Sequence, residues 1–429
     1  QQATQRTKQC EDQGFFVPPA AKSLAPCADG GDICGVANSD QLAPARLWSL
    51  DVLRGVCAGS VFLSHWHLWS DFAPRGEVEQ TVRRIGDAVH DSVSVLTWPT
   101  GGHHPAVLGF FVLSGFCIHY PFQRRAMAGS AAPIWRDYFR RRFFRIMPVY
   151  WAACLLGLLF VAAEATRPTG SPLLALHAAS SLPDVIVRAV GLAGVYPREI
   201  FAGNYILTTV TVEIIMYAAY PLFYVLAGRG RWVLLFFVFA GMHAGAIVLL
   251  RFYSPYWVFN SIFMLGLFWY AGALAAHLFL VHRPRLSGKW LLAAWGLFLA
   301  LKATPYFVGL NLLKQGAWGL VCTLGILWCL RWESHLARAG ERGVVHALRR
   351  LGDYSYSLYA MHTPAIMLAS WTLLHLGLRS YTLQLIVTMV VSVLATVAVH
   401  FGIERAFYRP AIRPTAPYSN NVSAGSIVT

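Results

Sequence analysis

Charged residues are scarce in this 429-residue chain. Asp, Glu, Lys and Arg make up 13% of it, whereas hydrophobic residues make up 56%. A soluble protein carries about 25% charged residues, so this chain lacks the polar side chains to cover a water-facing surface of its size. The composition therefore excludes an ordinary soluble protein and favours one that lies in a bilayer.

Several motifs that would indicate other classes are also missing. The eight cysteines contain no Cys-x-x-Cys pair and no zinc-ligand spacing, so the sequence predicts no bound metal and no cofactor. Segments of about ten residues with alternating hydrophobicity, which mark an outer-membrane barrel, do not occur. No internal repeat is detectable, and the apolar segments leave no room for a soluble catalytic domain.

Ten apolar segments of around 20 residues, the length that crosses a bilayer core as a helix, follow one another along the chain. They predict an all-α, polytopic membrane helical bundle over residues 48–410. The leader, 1–47, has no basic stretch followed by an apolar one, so we expect a flexible cytoplasmic extension rather than a signal peptide. Residues 411–429 are predicted to be a cytoplasmic tail. The segments are 48–69, 106–122, 147–164, 205–227, 232–250, 257–281, 290–310, 312–331, 353–376 and 381–403.

The net charge of +15 would suit a nucleic-acid-binding protein, but its placement argues against one. The Lys and Arg residues gather in short stretches between the apolar segments. With the N-terminus in the cytoplasm, the inner stretches hold 24 of the 35 and the outer stretches hold 10, and Arg54 lies inside the first segment. This distribution follows the positive-inside rule. We therefore expect no nucleic-acid partner, a location in the inner (plasma) membrane and both termini in the cytoplasm.

Three titratable side chains lie in the first apolar segment: Asp51, Arg54 and His65. A charge at bilayer depth costs about 2.5–3.5 kcal/mol or more, so each of them needs an explanation. Arg54 and His65 are eleven residues apart, which puts them on one helix face about 16 Å apart along the axis. The structural alternative is an ion pair between Asp51 and Arg54 near the inner surface, with His65 at the outer interface.

Five motifs are spread in order over nearly the whole apolar chain. They are Leu53-Arg54-Gly55 with His65, Phe110–Phe116, Arg141–Pro148 with its Arg142-x-x-Arg145 pair, Gly352–His362 with its Ser-Tyr-Ser-Leu-Tyr stretch, and Ile403-Glu404-Arg405. Together they resemble the signature of the acyltransferase-3 family of integral membrane O-acyltransferases. That signature has an Arg-x10-His pair in the first helix, a second-helix motif, a basic loop, a late Ser-Tyr-Ser-Leu-Tyr…His stretch and a closing Glu. The resemblance implies a stand-alone membrane acyltransferase domain.

One motif departs from the family pattern. The family commonly has Trp-Ser-Leu-Ser-Val-Glu, often followed by a second acid, where this chain has Thr208-Thr-Val-Thr-Val-Glu213-Ile214. The Glu is kept, but Thr208 stands in place of the Trp and Ile214 in place of the second acid. Because the missing ring would shape the outer pocket, we expect the departure to affect the substrate class more than the reaction.

Acyl transfer from a thioester to an alcohol needs a base for the hydroxyl and donors for the oxyanion. We assign the base to His65, because a neutral imidazole suits that role. Glu213 begins a helix that runs inward from the outer side, so we expect it near His65, orienting the imidazole or binding the acceptor. A structural carboxylate paired with Arg is the alternative. Arg54 is predicted to pair with a donor phosphate or with the thioester oxygen.

The inner arginine cluster is assigned to the donor, acyl-CoA, which is a co-substrate rather than a bound cofactor. Arg142 and Arg145 share a helix face at i,i+3 spacing, so both can contact a phosphate of cytosolic acyl-CoA. Arg141 is added to this set, although contact with anionic headgroups explains Arg140 and Arg141 equally well.

Secondary candidates are Asp51, Ser114, Tyr359 and His362. Ser114 lies in the Leu-Ser-Gly stretch, where a small residue for close helix packing is the alternative to a nucleophile. Tyr359 and His362 share one face of the ninth segment. For His362, the structural alternative is a buried imidazole that bonds to a backbone carbonyl.

The resemblance implies transfer of an acyl group, which we expect to be acetyl, from cytosolic acyl-CoA to a carbohydrate or glycosylated acceptor at the outer face. O-acetylation of a surface polysaccharide would be one such reaction. The rival hypothesis is a polytopic transporter, or a lipid or glycan carrier, that uses the intramembrane Arg, His and Glu residues as an ion path. Ten spans suit that hypothesis, but inverted repeats and helix pairs broken by Gly or Pro are not evident.

Overall fold

The computed structural model describes residues 47–68, 73–99, 104–165, 182–193, 204, 206–252, 257–284, 286–305, 308–339 and 342–407. These residues form helices and no strand, which confirms the all-α prediction. The predicted tail 411–429 and the predicted extension 1–47, apart from Leu47, lie outside the described residues.

The helices of the described residues are numbered here in chain order. They are α1 (Trp48–Leu68), α2 (Gly76–Thr97), α3 (Pro105–Met127), α4 (Trp135–Ala165), α5 (Leu182–Ala189), α6 (Leu207–Gly228), α7 (Trp232–Phe252), α8 (Trp257–Val281), α9 (Gly288–Lys302), α10 (Val308–Cys329), α11 (Glu333–Ala339), α12 (Gly343–Asp353), α13 (Ser355–His375), α14 (Tyr381–Val399) and α15 (Arg405–Phe407). A 3₁₀ turn, Leu330–Trp332, joins α10 to α11, and a π-helical turn, His400–Glu404, joins α14 to α15.

Each of the ten predicted segments overlaps a helix, but only six helical stretches of the described residues are both long and apolar enough to cross a membrane. The predicted count of about ten is therefore not confirmed. α9 has only 15 residues, and α1 carries Asp51 and Arg54 among its apolar residues. The six stretches are Pro105–Met127, Trp135–Phe160, Leu207–Gly228, Met264–Val281, Leu313–Ala339 and Tyr381–Phe407.

α3 lies at the centre of the bundle. Buried side chains line it from Pro105 to Phe122, and it contacts α1, α6, α8 and α10. Its crossing with α8 needs glycine on both helices. A Cβ atom on Gly115 would lie 1.9 Å from the carbonyl oxygen of Trp269, and one on Gly272 would lie 1.8 Å from that of Val112. Only glycine fits at such distances, so this crossing fixes α8 against α3.

α1 and α12 cross in the same way. A Cβ atom on Gly55 would lie 1.9 Å from the carbonyl oxygen of Leu348, and one on Gly352 would lie 1.9 Å from that of Asp51. The first turn of α1 is also held by Glu333 at the start of α11, whose carboxylate accepts from the backbone N–H of Ser49 at 3.0 Å and from its hydroxyl at 2.6 Å. A carboxylate there satisfies donors that a helix start leaves open.

Two prolines inside helices free carbonyl groups that neighbouring side chains then use. Pro221 in α6 has no N–H to donate to the carbonyl of Tyr217, and the hydroxyl of Tyr138 in α4 donates to it instead, at 3.1 Å. Pro364 in α13 frees the carbonyl four residues before it, which accepts from the side-chain amide of Asn204 at 2.8 Å. These contacts tie α4 to α6 and Asn204 to the middle of α13.

Two ends of the bundle are named here by their residues. The arginine side is the end where α1, α4 and α13 begin, which holds Arg54, Arg142 and Arg145. The hydroxyl of Tyr356, in the first turn of α13, donates to the carbonyl of Ile146 in α4 at 2.9 Å, which places the start of α13 beside the part of α4 that follows Arg145. The histidine side is the end where α1 finishes, next to His65.

Candidate active site

His65, in the last turn of α1, forms a hydrogen bond with His362 of α13. Nδ1 of His65 lies 2.9 Å from Nε2 of His362, and the two rings stack with centroids 5.2 Å apart. Nδ1 of His362 lies 2.9 Å from the carbonyl oxygen of Leu358, one turn earlier in the same helix. His362 is fully buried, while His65 is partly exposed.

These contacts determine which nitrogen of each ring carries the hydrogen. A carbonyl oxygen only accepts, so the hydrogen of His362 is on Nδ1 and its Nε2 accepts. Nδ1 of His65 must then donate to His362, which leaves the lone pair of His65 on Nε2. A general base needs this lone pair, and the backbone of α13 fixes its position through two hydrogen bonds in series.

The crossing of α1 with α12 explains why these two histidines meet. Gly352 lies against Asp51, so the chain enters α13 beside the first turn of α1. From that contact, both helices run toward the histidine side. His362 is ten residues beyond Gly352 and His65 is fourteen residues beyond Asp51, about 15 and 21 Å of helix, so both side chains reach the same end of the bundle.

Aromatic and histidine rings continue from His65 toward the surface. His104, just before α3, lies edge-on to His65 with ring centroids 6.5 Å apart, and the ring of Trp98 lies 4.7 Å from that of His104. Trp98 is partly exposed. The residue before His104, His103, lies outside the described residues.

Glu213 has other partners than the sequence predicts. Among the described residues, its carboxylate accepts from the hydroxyl of Ser114 at 3.0 Å and from that of Tyr217, one turn later in α6, and not from His65. The reason is the helix order: α1 packs along α3 and α13, and side chains of those two helices contact α6. The residue that the structure places against the His65 imidazole is therefore His362 and not Glu213.

The hydroxyl of Ser114 is thus used to join α3 to Glu213, while the close helix packing of the Leu-Ser-Gly stretch is made by Gly115. Tyr359 lies between Glu213 and the histidine pair, with its ring 6.0 Å from that of His362. Its hydroxyl lies 2.6 Å from Oγ1 of Thr209, whose own hydrogen is directed to the carbonyl of Ile206, so Tyr359 donates.

Arg142 points into the bundle from the arginine side. Its guanidinium lies over the ring of Tyr217, 5.1 Å from the centroid, and over that of Tyr138, 5.8 Å from the centroid. Arg142 and Arg145 are partly buried, whereas Arg141 is exposed. The i,i+3 pair therefore shares an inward face, and Arg141 lies outside it.

Arg54 donates to Asp51 at 2.9 Å, so the ion pair of the structural alternative is present. Asp51 lies farther from His65 than Arg54 does, so the pair directs the guanidinium away from the histidine side. Arg145 is near enough for its charge to act on Arg54. Arg54 therefore lies with the arginine pair and not with His65.

Two of the sequence motifs close on each other at the arginine side. The hydroxyl of Ser357, in the Ser-Tyr-Ser-Leu-Tyr stretch, donates to Glu404 at 2.5 Å, and Nδ1 of His400 lies 2.8 Å from the same carboxylate oxygen. All three side chains are buried. Glu404 thus joins the start of α13 to the end of α14. It is the last residue of the π-helical turn, an element that often occurs at functional sites.

Ile214, which stands where the family pattern often has a second acid, makes an apolar contact. Cδ1 of Ile214 would lie 3.1 Å from a Cβ atom on Gly191, in the turn after α5, and the hydroxyl of Thr211 donates to the carbonyl of Gly191 at 3.1 Å. Thr208 is buried. The start of α6 is therefore packed against this turn.

Sequence reasoning missed the rings that hold the arginine side. Tyr138 is four residues before Arg142, and Tyr217 is four residues after Glu213, so helical spacing places each on the same face as its partner. That spacing is the signal that identifies them. No group of three or more His, Cys, Asp and Glu side chains that could hold a metal ion occurs within the part of the chain that the structure describes.

A family model described as Acyltransferase domain, of the acyltransferase-3 type, matches residues 47–402 of the chain. The match includes the first four motifs and ends one residue before the fifth, Ile403-Glu404-Arg405. No curated protein and no solved structure matches the chain.

Proposed function

This chain belongs to the acyltransferase-3 family of membrane acyltransferases, and from that premise we propose the reaction that it catalyses. It transfers an acetyl group from cytosolic acyl-CoA to a hydroxyl of a carbohydrate or glycosylated acceptor at the opposite membrane face. The observation that carries the proposal is the pairing of His65 with His362, because it gives one imidazole an oriented lone pair inside the bundle.

The donor binds at the arginine side. Arg142 and Arg145 offer two guanidinium groups on one inward face, and Arg54 adds a third charge on the neighbouring helix. Charge-assisted hydrogen bonds to phosphate are the strongest that side chains form. Arg54 lies eleven residues before His65, about 16 Å along α1, so the pantetheine arm extends between the phosphates and the base. Arg141, which is exposed, remains a weaker member of this set.

The base acts at the histidine side. Nε2 of His65 takes the proton of the acceptor hydroxyl while the hydroxyl oxygen attacks the thioester carbon. The tetrahedral intermediate then collapses, the carbon–sulfur bond breaks, and the CoA thiolate leaves and receives the proton from the His65 imidazolium. The products are an ester and free CoA, and His65 returns to its neutral form.

The surroundings of the histidine pair support a small acyl group. The rings of Phe62 and Tyr359 lie 6.1 and 6.0 Å from that of His362, and the ring of Phe110 lies 6.0 Å from that of Tyr359. These rings fill the interior beside the base, which favours acetyl over a long chain. Trp98 and His104 form a partly exposed, amphipathic rim beside His65, which suits an acceptor that carries hydroxyl groups.

The orientation in the membrane follows from the charge distribution. With 24 of 35 Lys and Arg residues on the side of the arginine cluster, that side is the cytoplasmic one, where acyl-CoA is found. Both termini are then cytoplasmic and the histidine side faces outward in the plasma membrane. Labelling of a Ser130→Cys variant by an impermeant reagent in intact cells would contradict this orientation, and labelling of an Asp91→Cys variant, at an exposed position of α2, supports it.

The experiment that tests the reaction measures CoA release. The purified protein in lipid vesicles receives acetyl-CoA with and without glycan acceptors, and release should depend on the acceptor. His65→Ala should lower kcat on the order of 10²–10⁴, the usual share of general-base catalysis. His67→Ala is the matched control, because this histidine lies one half-turn away and bonds to Asp87 of α2 instead.

Two results would contradict the proposal. One is a His65→Ala protein that releases CoA at the rate of the His67→Ala control. The other is an absence of acceptor-dependent CoA release with every glycan and lipid acceptor tested, together with transport of a glycan or ion across the vesicle membrane, which would favour the carrier hypothesis.

A further inference from the structure

The amphipathic helix α2 carries an exposed apolar stripe that faces no described part of the protein. Val78, Val82, Ile85, Val89, Val93 and Leu96 share one face, because their spacings of three and four residues follow the helical period. Their side chains are between 38% and 76% exposed. No charged residue occurs on this face, which is called the apolar stripe below.

A second face of α2 rests on the protein. The partly buried residues Glu79, Gly86, Asp87, His90, Ser94 and Thr97 mark it. Asp87 bonds to His67 of α1 at 2.8 Å, and Glu79 accepts from the hydroxyl of Ser380, before α14, at 2.6 Å. At about 100° per residue, this face lies roughly a third of a turn from the apolar stripe.

A third face of α2 is polar and exposed. It includes Gln80, Arg84 and Asp91, and it lies roughly a quarter of a turn from the face that rests on the protein and nearly opposite the apolar stripe. A helix on a water-exposed surface has an apolar face toward protein and a polar face toward water. In α2, by contrast, the face that rests on the protein makes polar contacts. The polar face is turned toward water, and the apolar stripe is turned toward a third environment.

The C-terminal end of α2 packs along α9, which covers most of the predicted segment 290–310. The indole N–H of Trp295, in the middle of α9, donates to the carbonyl of Leu96 at 3.0 Å. Lys302, at the end of α9, donates to the carbonyl of Val95 at 2.8 Å. Trp295 is seven residues before that end, about 10 Å away from it along the axis of α9. The last turn of α2 therefore lies beside α9. That helix also carries the exposed apolar side chains Leu292 and Leu297.

We propose that α2 is an interfacial helix whose apolar stripe is immersed in the membrane leaflet on the histidine side. The lipid chains cover the stripe, and the stripe continues the lipid-facing surface of the bundle. The face of α2 that rests on the protein then holds His67 through Asp87, and Trp98, at the end of the helix, forms the rim of the candidate site with His104. A lipid surface is thus part of what fixes the entrance to His65.

Spin labels on adjacent faces of α2 test this proposal without reference to enzyme activity. The variants Ile85→Cys and Val89→Cys lie in the apolar stripe, and Arg84→Cys lies one residue away on the polar face. Each is labelled in the full-length protein in phosphatidylcholine and phosphatidylglycerol nanodiscs, with the protein lacking the added cysteine as background. The label's relaxation is measured with oxygen, which concentrates in lipid, and with a water-soluble nickel chelate.

The labels at positions 85 and 89 should relax with oxygen and be shielded from nickel, while the label at position 84 should show the reverse. Nickel access at positions 85 and 89 equal to that at position 84 would overturn the proposal, because the stripe would then face water. Immobilised labels shielded from both reagents would also overturn it, since a second copy of the chain, another protein or another segment of this chain would then cover the stripe.

Discussion

The histidine side and the arginine side of the bundle are built from different chemistry. At the histidine side, neutral groups bond in series: a carbonyl oxygen, His362 and His65, with Tyr359 beside them. At the arginine side, charged groups are held by Asp51 and by the faces of aromatic rings. The histidine side is therefore suited to moving a proton, and the arginine side is suited to holding an anion.

Glu213 lies between the two ends and is bonded to neither pair. Its partners, Ser114 and Tyr217, join α3 to α6, and Tyr217 lies under the guanidinium of Arg142. The carboxylate is therefore linked more closely to the arginine side than to His65. Each prediction below changes one end and measures whether the other end responds.

The largest effect is expected when the imidazole of His362 is replaced by an apolar side chain. His362→Leu removes the acceptor that fixes the tautomer of His65, and the loss of such an orienting partner costs about 10⁴ in kcat when the partner is charged. For a neutral partner we expect a fall in kcat on the order of 10² with no change in donor KM. The acid limb of the pH–rate profile should also shift, because the imidazolium of His65 loses its hydrogen-bond acceptor.

His362→Gln is the matched variant, because its side-chain oxygen can accept from Nδ1 of His65. It should recover part of the kcat and part of the pH shift. A merely structural role for His362 predicts instead that the Leu variant loses stability with an unchanged pH profile and that Gln restores nothing.

The next largest effect is expected at the arginine side. Replacing Arg142 and Arg145 together by Ala removes two charges that face inward, each charge-assisted hydrogen bond contributing about 1.5–3 kcal/mol. The acyl-CoA KM should rise by roughly tenfold or more, since about 1.4 kcal/mol corresponds to a factor of ten. Steady-state kinetics with varied donor and saturating acceptor measure this.

The control for that pair removes two exposed charges from the same helix. Arg136→Ala with Arg140→Ala leaves the inward face unchanged. Donor KM should therefore stay near that of the parent protein. An equal rise in both double variants would mean that the positive surface as a whole, and not the inward pair, binds the donor.

The sequence predicts the helical class and the shared face of Arg54 and His65, because both depend on local periodicity. It also predicts the shared helix face of Arg142 and Arg145, which are both partly buried, whereas Arg141, predicted in the same set, is exposed. These properties belong to one helix at a time. They need no knowledge of which helices are neighbours.

The partner of His65 could not be predicted in that way. His362 is 297 residues away, and its contact depends on the close crossing at Gly55 and Gly352. The predicted contact between Glu213 and His65 is not found, for the same reason. Two side chains at a similar depth in the bundle meet only if their helices are neighbours, and the sequence does not show which helices are neighbours. The span count also exceeds the six that length and hydropathy support, since several of the ten segments are short or carry polar residues.

A smaller effect is expected where Asn204 bonds to the carbonyl freed by Pro364. Asn204→Leu leaves that buried carbonyl without its donor, which costs about 1–3 kcal/mol of stability. Because the carbonyl is in the turn of α13 that leads to His362, kcat should fall while donor KM stays unchanged. Thermal unfolding and kinetics of the same sample measure both.

A double-mutant cycle isolates this contact. Pro364→Ala restores a backbone N–H at position 364, which can donate to the same carbonyl. Asn204→Leu should then destabilise the protein less in the Pro364→Ala background than in the parent. Equal destabilisation in the two backgrounds would show that Asn204 acts through other contacts.

The smallest effect is expected for Glu213→Gln. The amide oxygen still accepts from Ser114 and Tyr217, so the hydrogen bonds remain and lose only their charge assistance, about half of their strength. The acid limb of the pH–rate profile should stay where it is in the parent protein, because Glu213 does not bond to His65. A shift of that limb as large as in His362→Leu would instead make Glu213 a partner of the base.

The separation of the two ends is tested most directly by equilibrium binding of a non-reactive acyl-CoA analogue. Binding is measured on three proteins: the parent, His65→Ala, and Arg142→Ala with Arg145→Ala. His65→Ala should bind the analogue as the parent does, whereas the arginine double variant should bind it roughly tenfold more weakly or worse. Equal loss of affinity in both variants, or parent-like affinity in the arginine variant, would contradict the assignment of chemistry to one end and donor binding to the other.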